Sequence, residues 1–299
     1  MKIPIYFLGT GQAIPTAKRN HTAVLLTYKN EDILIDCGEG TQRQFRKMKL
    51  NPCNLTRIFI THWHGDHILG LPGLLQTLAL NGYNKTLHVY GPYGTRKYLD
   101  IILDMFIFTG KIDIEIHEVD GGNILDTPDF YIQALPVFHS ARCLAYSFIE
   151  KDKIRIDKSK MKKLKIKQGP ELAKLKQGND IIINGKRIKA SKLVYKEKGK
   201  KISFIFDTAL TENCFRISKD ADLLICEAVY AENEKHLAPE RKHLTASQAA
   251  TIAKKSKCKQ LILAHISQRY EYKEKIILAE AKKIFKNTKI AEDFDRIMI

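Results

Sequence analysis

The segment THWHGDHILG places His62, His64, Asp66 and His67 within six residues, directly after RIFIT (Arg57–Thr61). That apolar, β-branched run reads as a buried strand. In extended backbone, side chains two apart face the same way, so His62 and His64 can grip one ion together. Gly65 lets the chain turn sharply. Asp66 and His67 then open the next helix, aimed at a second position a few ångströms away. Imidazole and carboxylate at this density suit zinc or a similar divalent ion. Four residues cannot close two metal sites, so further ligands must come from distant strand ends, where a polar side chain interrupts an apolar run. His139 after LPVF, Asp207 after ISFIF and His265 after LILA meet that description. A carboxylate such as Asp207 can bridge two ions held about 3.5–4 Å apart.

The rest of the chain alternates strand and helix patterns. VLLT and DILIDCG read as a hairpin about Lys29-Asn30, followed by a polar helix over 41–49. Strand patterns recur at TLHVYGP, DIEIHEV, FYIQALPV, LAYSFIE, KISFIFD, ADLLICE and KQLILAH. Helical patterns cover 69–80, 94–106, 245–256 (opened by a Thr245 cap) and 273–285. With no long linker and no repeat, 299 residues at 44% hydrophobic composition read as one layered α/β domain. No apolar run approaches the ~18 residues of a membrane span. The start lacks the pattern of a signal peptide. The expectation is a soluble, cytoplasmic protein with no membrane partner. Six scattered cysteines without a CxxC read as reduced thiols, mostly buried.

Charge is unevenly spread. Of a net +17, residues 151–201 contribute +14, with 19 Lys or Arg against five acids. The stretch IRIDKSKMKKLKIKQGPELAKLKQG has no aromatic residue and few large apolar ones, so it reads as unable to build its own core. Residues 151–178 are therefore expected to form a flexible basic arm inserted into the domain, pinned loosely by Ile154, Ile156, Met161, Leu164, Ile166, Leu172 and Leu175. Lysines without a stacking platform suit phosphate contacts more than base reading, which points to a nucleic-acid partner. His21, His88, His117 and His236 lack a ligand-like context and read as structural. Gly9-Thr10-Gly11 has no third glycine and reads as a turn into the Pro15–Asn20 loop, a candidate nucleic-acid contact through Lys18 and Arg19.

HxHxDH with a later His, Asp and His at strand ends resembles the metallo-β-lactamase superfamily, whose fold is an αββα sandwich with metals at one edge. More narrowly, DCGEGTQRQ (Asp36–Gln44), GPELAKLKQG (Gly169–Gly178), HLTA (His243–Ala246) and AHISQRY (Ala264–Tyr270) resemble the ribonuclease Z family, over almost the whole chain. The resemblance implies a zinc-dependent endoribonuclease that removes the 3′ trailer from precursor tRNA. It would leave a 3′-hydroxyl on the tRNA and a 5′-phosphate on the trailer. It assigns His62, His64 and His139 to one zinc, Asp66, His67 and His265 to the other, and Asp207 to both, two Zn2+ per subunit. Asp66 is the implied proton acceptor, and His243, oriented by Glu227, the implied proton donor. Gly169, Pro170, Lys174 and Lys176 fall in the family's tRNA-binding arm. Ser267 and Arg269 lie where they can contact phosphates or brace the site. A homodimer in which one subunit's arm serves the other's active site is also implied. The sequence departs from the family pattern at Phe206-Asp207-Thr208-Ala209, at PTAKRN and at Cys226-Glu227-Ala228-Val229. These departures bear on positioning of the acceptor end. The competing readings are a small-molecule phosphodiesterase or arylsulfatase of the same superfamily, and a non-catalytic RNA-binding module. The basic segment and the open, seven-ligand pattern argue against them in turn.

Overall fold

Strands that are apolar along their whole length need both faces covered, and the sheets here meet that need. The strands are β1 (Pro4–Gly9), β2 (Ala23–Tyr28), β3 (Glu31–Ile35), β4 (Leu55–Phe59), β5 (Thr86–Gly91), β6 (Asp113–Glu118), β7 (Gly122–Asp126), β8 (Phe130–Phe138), β9 (Arg142–Glu150), β10 (Lys153–Ile156), β11 (Ile181–Ile183), β12 (Lys186–Ile188), β13 (Val194–Glu197), β14 (Lys201–Ile205), β15 (Leu223–Glu227), β16 (Leu261–Ala264), β17 (Thr288–Ile290) and β18 (Arg296–Met298). One seven-stranded sheet has the order β18-β1-β2-β3-β4-β5-β6, and a second the order β17-β16-β15-β14-β9-β8-β7. This computed structural model describes residues 2–107, 112–164, 166, 169, 172–183 and 186–299.

Residues up to 126, with 132–148 and 201–299, form one compact unit. Alternation along each strand sends one set of side chains to helices and the other to the opposing sheet. Leu25, Leu34 and Ile58 join the core beneath the helices Thr41–Lys47, Leu71–Leu80 and Thr95–Met105. Leu224, Leu261 and Leu263 join the core beneath Glu212–Ser218, Ala246–Lys255 and Glu274–Ile284. Between the sheets, Tyr28 meets Phe148 with ring centroids 5.1 Å apart, and Phe59 meets Tyr146 at 5.3 Å. Helices therefore lie on the outer faces of two packed sheets, the expected αββα sandwich. Truncating a buried ring such as Phe59 would cost about 3–5 kcal/mol. Among the described residues no helix is long and apolar enough to cross a membrane. All six cysteines are free thiols, and all but Cys53 are buried.

Residues 127–131 and 149–200 form the second unit. The sequence reading of residues 151–178 as unable to build a core is corrected here. Met161, Ile166 and Leu175 are buried together with Ile181, Ala190 and Leu193, and Ile156, Leu172, Ile188 and Val194 pack against them. Half of that cluster lies beyond residue 178, so a boundary drawn there removed the residues that close the core. β10 pairs antiparallel with β13, and β11 with β12. Asp157 caps the helix Lys158–Lys163 through the Ser159 and Lys160 N–H groups. Lys158, Lys160, Lys162, Lys163, Lys189 and Lys192 remain exposed around it.

Candidate metal centre

Several strands of the larger unit deliver polar side chains at their carboxyl ends. β14, β15 and β16 run parallel, with Ile205 beside Cys226 and Glu227 beside Ala264, so Asp207, Glu227 and His265 emerge side by side. β3 and β4 run parallel likewise and deliver Asp36 and His62. Three of these residues leave their strands in the left-handed region, Asp36 at φ 57°, Asp207 at φ 46° and His265 at φ 54°. Side chains there re-aim sharply at the cost of backbone strain. The HxHxDH turn packs tightly on the turn after β3. A Cβ on Gly70 would lie 2.1 Å from the Gly38 carbonyl oxygen, and one on Gly38 would lie 2.6 Å from that of Asp66. Glycine alone fits at both.

The structure brings all seven expected ligands together, in two groups that share Asp207: His62, His64 and His139 in one, Asp66, His67 and His265 in the other. Asp207 Oδ2 lies 3.4 Å from His62 Nε2, 3.5 Å from His67 Nε2 and 3.6 Å from His139 Nε2. His139 Nε2 is 3.2 Å from His64 Nδ1, and Asp66 Oδ2 is 3.4 Å from His67 Nε2. Ligands on ~2.0–2.1 Å bonds around a tetrahedral ion stand about 3.3–3.4 Å from one another. His62 Nε2, His67 Nε2, His265 Nε2 and Asp207 Oδ1 are buried and make no hydrogen bond. The last two approach to 2.7 Å without the alignment of one. Buried polar atoms are seldom left so, and a cation satisfies all of them.

The opposite nitrogens of the same rings are all engaged. His67 Nδ1 donates to Asp36 Oδ2 at 2.7 Å, and His139 Nδ1 donates to the Lys242 carbonyl at 3.0 Å. Thr22 Oγ1 gives its proton to the Gly11 carbonyl, so it accepts from His265 Nδ1 at 2.6 Å. Thr61 Oγ1 gives its proton to Asp36 Oδ2 and accepts from His62 Nδ1 at 3.1 Å. Each ring thereby has its Nδ1 occupied, which leaves Nε2 to face the centre. Asp36, fully buried, is the hub of this arrangement and also accepts the Thr61 N–H at 2.7 Å. The sequence reading missed its role. The signal was the one used for Asp207, a carboxylate ending an apolar strand.

Burial opposes charge throughout the centre; it prevails at His62 and His139, and charged neighbours prevail at the carboxylates and His243. Burial and the surrounding imidazoles hold His62 well below its usual value. Burial would raise the Asp66 and Asp207 carboxyls, but His67 and His265 hold both well below the usual range. Burial would also depress His243, yet Glu227 raises it to about 9. Glu227, fully buried, accepts from His243 Nδ1 at 3.1 Å, from the Leu244 N–H at 3.1 Å and from the Thr208 N–H at 2.6 Å. The Thr245 capping box of the next helix anchors the same loop.

His64, Asp66, His139, Asp207 and His243 open onto a cavity of about 390 Å³ that Gln12, Tyr230, Arg241 and Arg269 also line. A larger depression, about 550 Å³ at Arg46–Cys53, carries no acid or imidazole. Arg269 is half-exposed and paired with Glu234 at 2.7 Å. Lys18 is exposed over the Tyr272 ring at 4.1 Å. Arg19 departs from the expected RNA contact. It is buried, with Nη1 donating to Thr10 Oγ1 at 2.8 Å and to the Ala291 carbonyl at 2.7 Å, so its charge is spent inside. Gly169, Lys174 and Lys176 are exposed in the smaller unit, and Pro170 lies outside the described residues.

Comparison with known proteins bears on the family. A family model described as anti-Pycsar protein Apyc1 matches residues 3–99, about a third of the chain. The chain is 39% identical over 290 residues to the ribonuclease Z of Methanothermobacter thermautotrophicus, covering 97% of this chain and 94% of that one. The short form of human tRNase Z aligns with a TM-score of 0.73 at 28% identity over 98% of both chains. YhfI of Bacillus subtilis, a metallo-β-lactamase fold protein, aligns at 0.72 and 18% identity over 100% and 99%, a likeness of fold. With a relative this similar over nearly its full length, and with two packed sheets delivering seven ligand side chains to one edge, the chain belongs to the ribonuclease Z family of the metallo-β-lactamase fold.

Proposed function

We propose that the chain is a zinc-dependent endoribonuclease that removes the 3′ trailer from precursor tRNA. The observation that carries this reading is the convergence of unpaired, buried ligand atoms about Asp207 in a chain of this family. His62, His64 and His139 would hold one zinc, Asp66, His67 and His265 the other, with Asp207 shared. Held there, zinc supplies a water acidified toward neutrality and offsets charge on the scissile phosphate.

The protein's own groups handle the protons. Asp66, kept ionised by His67 and His265, accepts the proton of the attacking water. His243, kept cationic by Glu227, gives its proton to the leaving 3′ oxygen of the tRNA body, so the phosphate stays on the trailer. Arg269, on the cavity wall, and the exposed Lys18 contact backbone phosphates. Lys174, Lys176 and their exposed neighbours in the smaller unit take up the tRNA by shape and charge. By family resemblance the enzyme works in the cytoplasm as a homodimer in which each subunit's basic unit serves its partner's active site.

The test is cleavage of a trailer-bearing precursor tRNA with both new ends mapped. A 3′-hydroxyl on the tRNA, a 5′-phosphate on the trailer, loss with chelator, recovery with zinc and loss in His64→Ala are expected. Cleavage that survives chelation or His64→Ala would refute the reading. Turnover of a small phosphodiester without turnover of precursor tRNA would favour a small-molecule hydrolase instead.

A further inference from the structure

His88 and His117, which read as isolated structural residues in the sequence, are neighbours in the fold. β5 and β6 are parallel, with His88 beside Glu115 and Tyr90 beside His117. Period-two alternation puts all four side chains on one face, at the outer edge of the sheet. His88 Nδ1 lies 3.2 Å from His117 Nε2. The Glu115 carboxylate lies 3.4 Å from His88 Nδ1 and 3.5 Å from His117 Nε2. The imidazole pair stands near the ~3.3–3.4 Å spacing of two ligands around one tetrahedral ion with ~2.0–2.1 Å bonds, and the carboxylate offers such an ion Oε2 on the His88 side and Oε1 on the His117 side. The geometry points to a third metal site, taking a first-row divalent ion such as Zn2+ on His88, Glu115 and His117, separate from the centre around Asp207.

Three further features suit that assignment. The His117 ring is held in place by stacking on Tyr90 at 4.3 Å and 12°, and Tyr90 in turn stacks on Phe59 at 4.7 Å and 13°. One ligand is thus pre-oriented by an aromatic row that runs into the inter-sheet core. The nearby guanidinium groups are engaged elsewhere, Arg57 with Glu31 and Arg96 with the Ile116 carbonyl. Among the described residues, the ionic neighbours of Glu115 within 4 Å are the two imidazoles. His88 and His117 are each 28% exposed, so the fourth position is open to water. An ion here would tie the edge strand β6 to β5. Imidazole pairs with one carboxylate favour zinc, nickel or copper over magnesium.

The test equilibrates the full chain with Zn2+, removes free ion and counts bound metal by mass spectrometry. His88→Gln/His117→Gln is expected to hold one equivalent fewer than wild type, with precursor-tRNA cleavage unchanged. Glu115→Gln, a milder change, should lose the same equivalent at sub-saturating ion. His236→Gln, which removes an exposed lone histidine, should lose none. Equal counts in wild type and the double variant, or an equal loss in His236→Gln, would overturn the site. Because ions of the catalytic centre are common to every variant, the difference is independent of how that centre performs.

Discussion

Replacing Glu227 by Gln keeps the side chain's size and removes the charge that holds a proton on His243. The glutamate accepts three hydrogen bonds, the Thr208 N–H on Oε1 and the His243 Nδ1 and Leu244 N–H on Oε2. Glutamine brings one carbonyl and one NH2. Whichever way it turns, a buried N–H faces another donor, at a cost of about 1–3 kcal/mol in stability. The catalytic effect is separable because it depends on pH. A His243 imidazole raised to about 9 is nearly all protonated at pH 7 and about nine-tenths so at pH 8. Without Glu227 the depressing effect of burial is no longer offset, so it falls to ~6.5 or below and keeps at most roughly a quarter of its protons at pH 7 and about 3% at pH 8. The deficit of the variant should therefore widen from its smallest at pH 6, through at least about 4-fold at pH 7, to at least about 30-fold at pH 8. Single-turnover cleavage across that range reads it directly. The sign is fixed, since losing the raised pKa moves the alkaline limb down. A deficit that stays constant with pH would mean that Glu227 only shapes the loop, and the proton-donor role of His243 would fall with it.

Asp36→Asn takes the acceptor from His67 Nδ1 and the hold on the His62 ring through Thr61. Metal affinity should drop about 10–100-fold, as for other groups that orient metal ligands, read by chelator competition; unchanged affinity would refute the hub role. Excising residues 151–199 removes the complete small core and joins Glu150 to Lys200, already paired backbone to backbone at 2.8 Å. Precursor-tRNA binding should collapse and lose its steep salt dependence while a small phosphodiester is still cleaved; near-normal tRNA affinity would end the assignment of that unit. Arg19→Met should lower the melting temperature through two lost buried hydrogen bonds and leave the salt slope of RNA binding unchanged; a shallower slope would restore Arg19 as a phosphate contact.

What the sequence discloses about such a centre depends on how each residue reaches it. His62, His64, Asp66 and His67 are legible because they are contiguous, and four metal-competent side chains crowded after a buried strand serve few purposes besides ligation. His139, Asp207 and His265 are legible because a polar side chain ending an apolar strand needs a reason. Asp36 carried the same signal in DILIDCG. Thr61, which joins Asp36 to His62, Thr22 beneath His265 and the Lys242 carbonyl beneath His139 carried none, because a hydroxyl or carbonyl that orients a ring resembles any other until the rings are placed. Arg19 shows the opposite failure. A basic residue in a loop beside the site looks like a phosphate contact, and only the fold shows Thr10 and Ala291 closing on its guanidinium. The basic segment is marked by its charge, but its apolar content misleads, because its core draws on Ile181, Ala190 and Leu193 beyond residue 178. His88, Glu115 and His117 show where reading along a chain must stop. They lie 27 and 29 positions apart on two strands, and only the parallel register that sets His88 beside Glu115 makes them one group. Pairing register is fixed by the whole sheet and its buried face. Local chemistry written in one segment can be read from that segment, while chemistry assembled across strands becomes visible only with the fold.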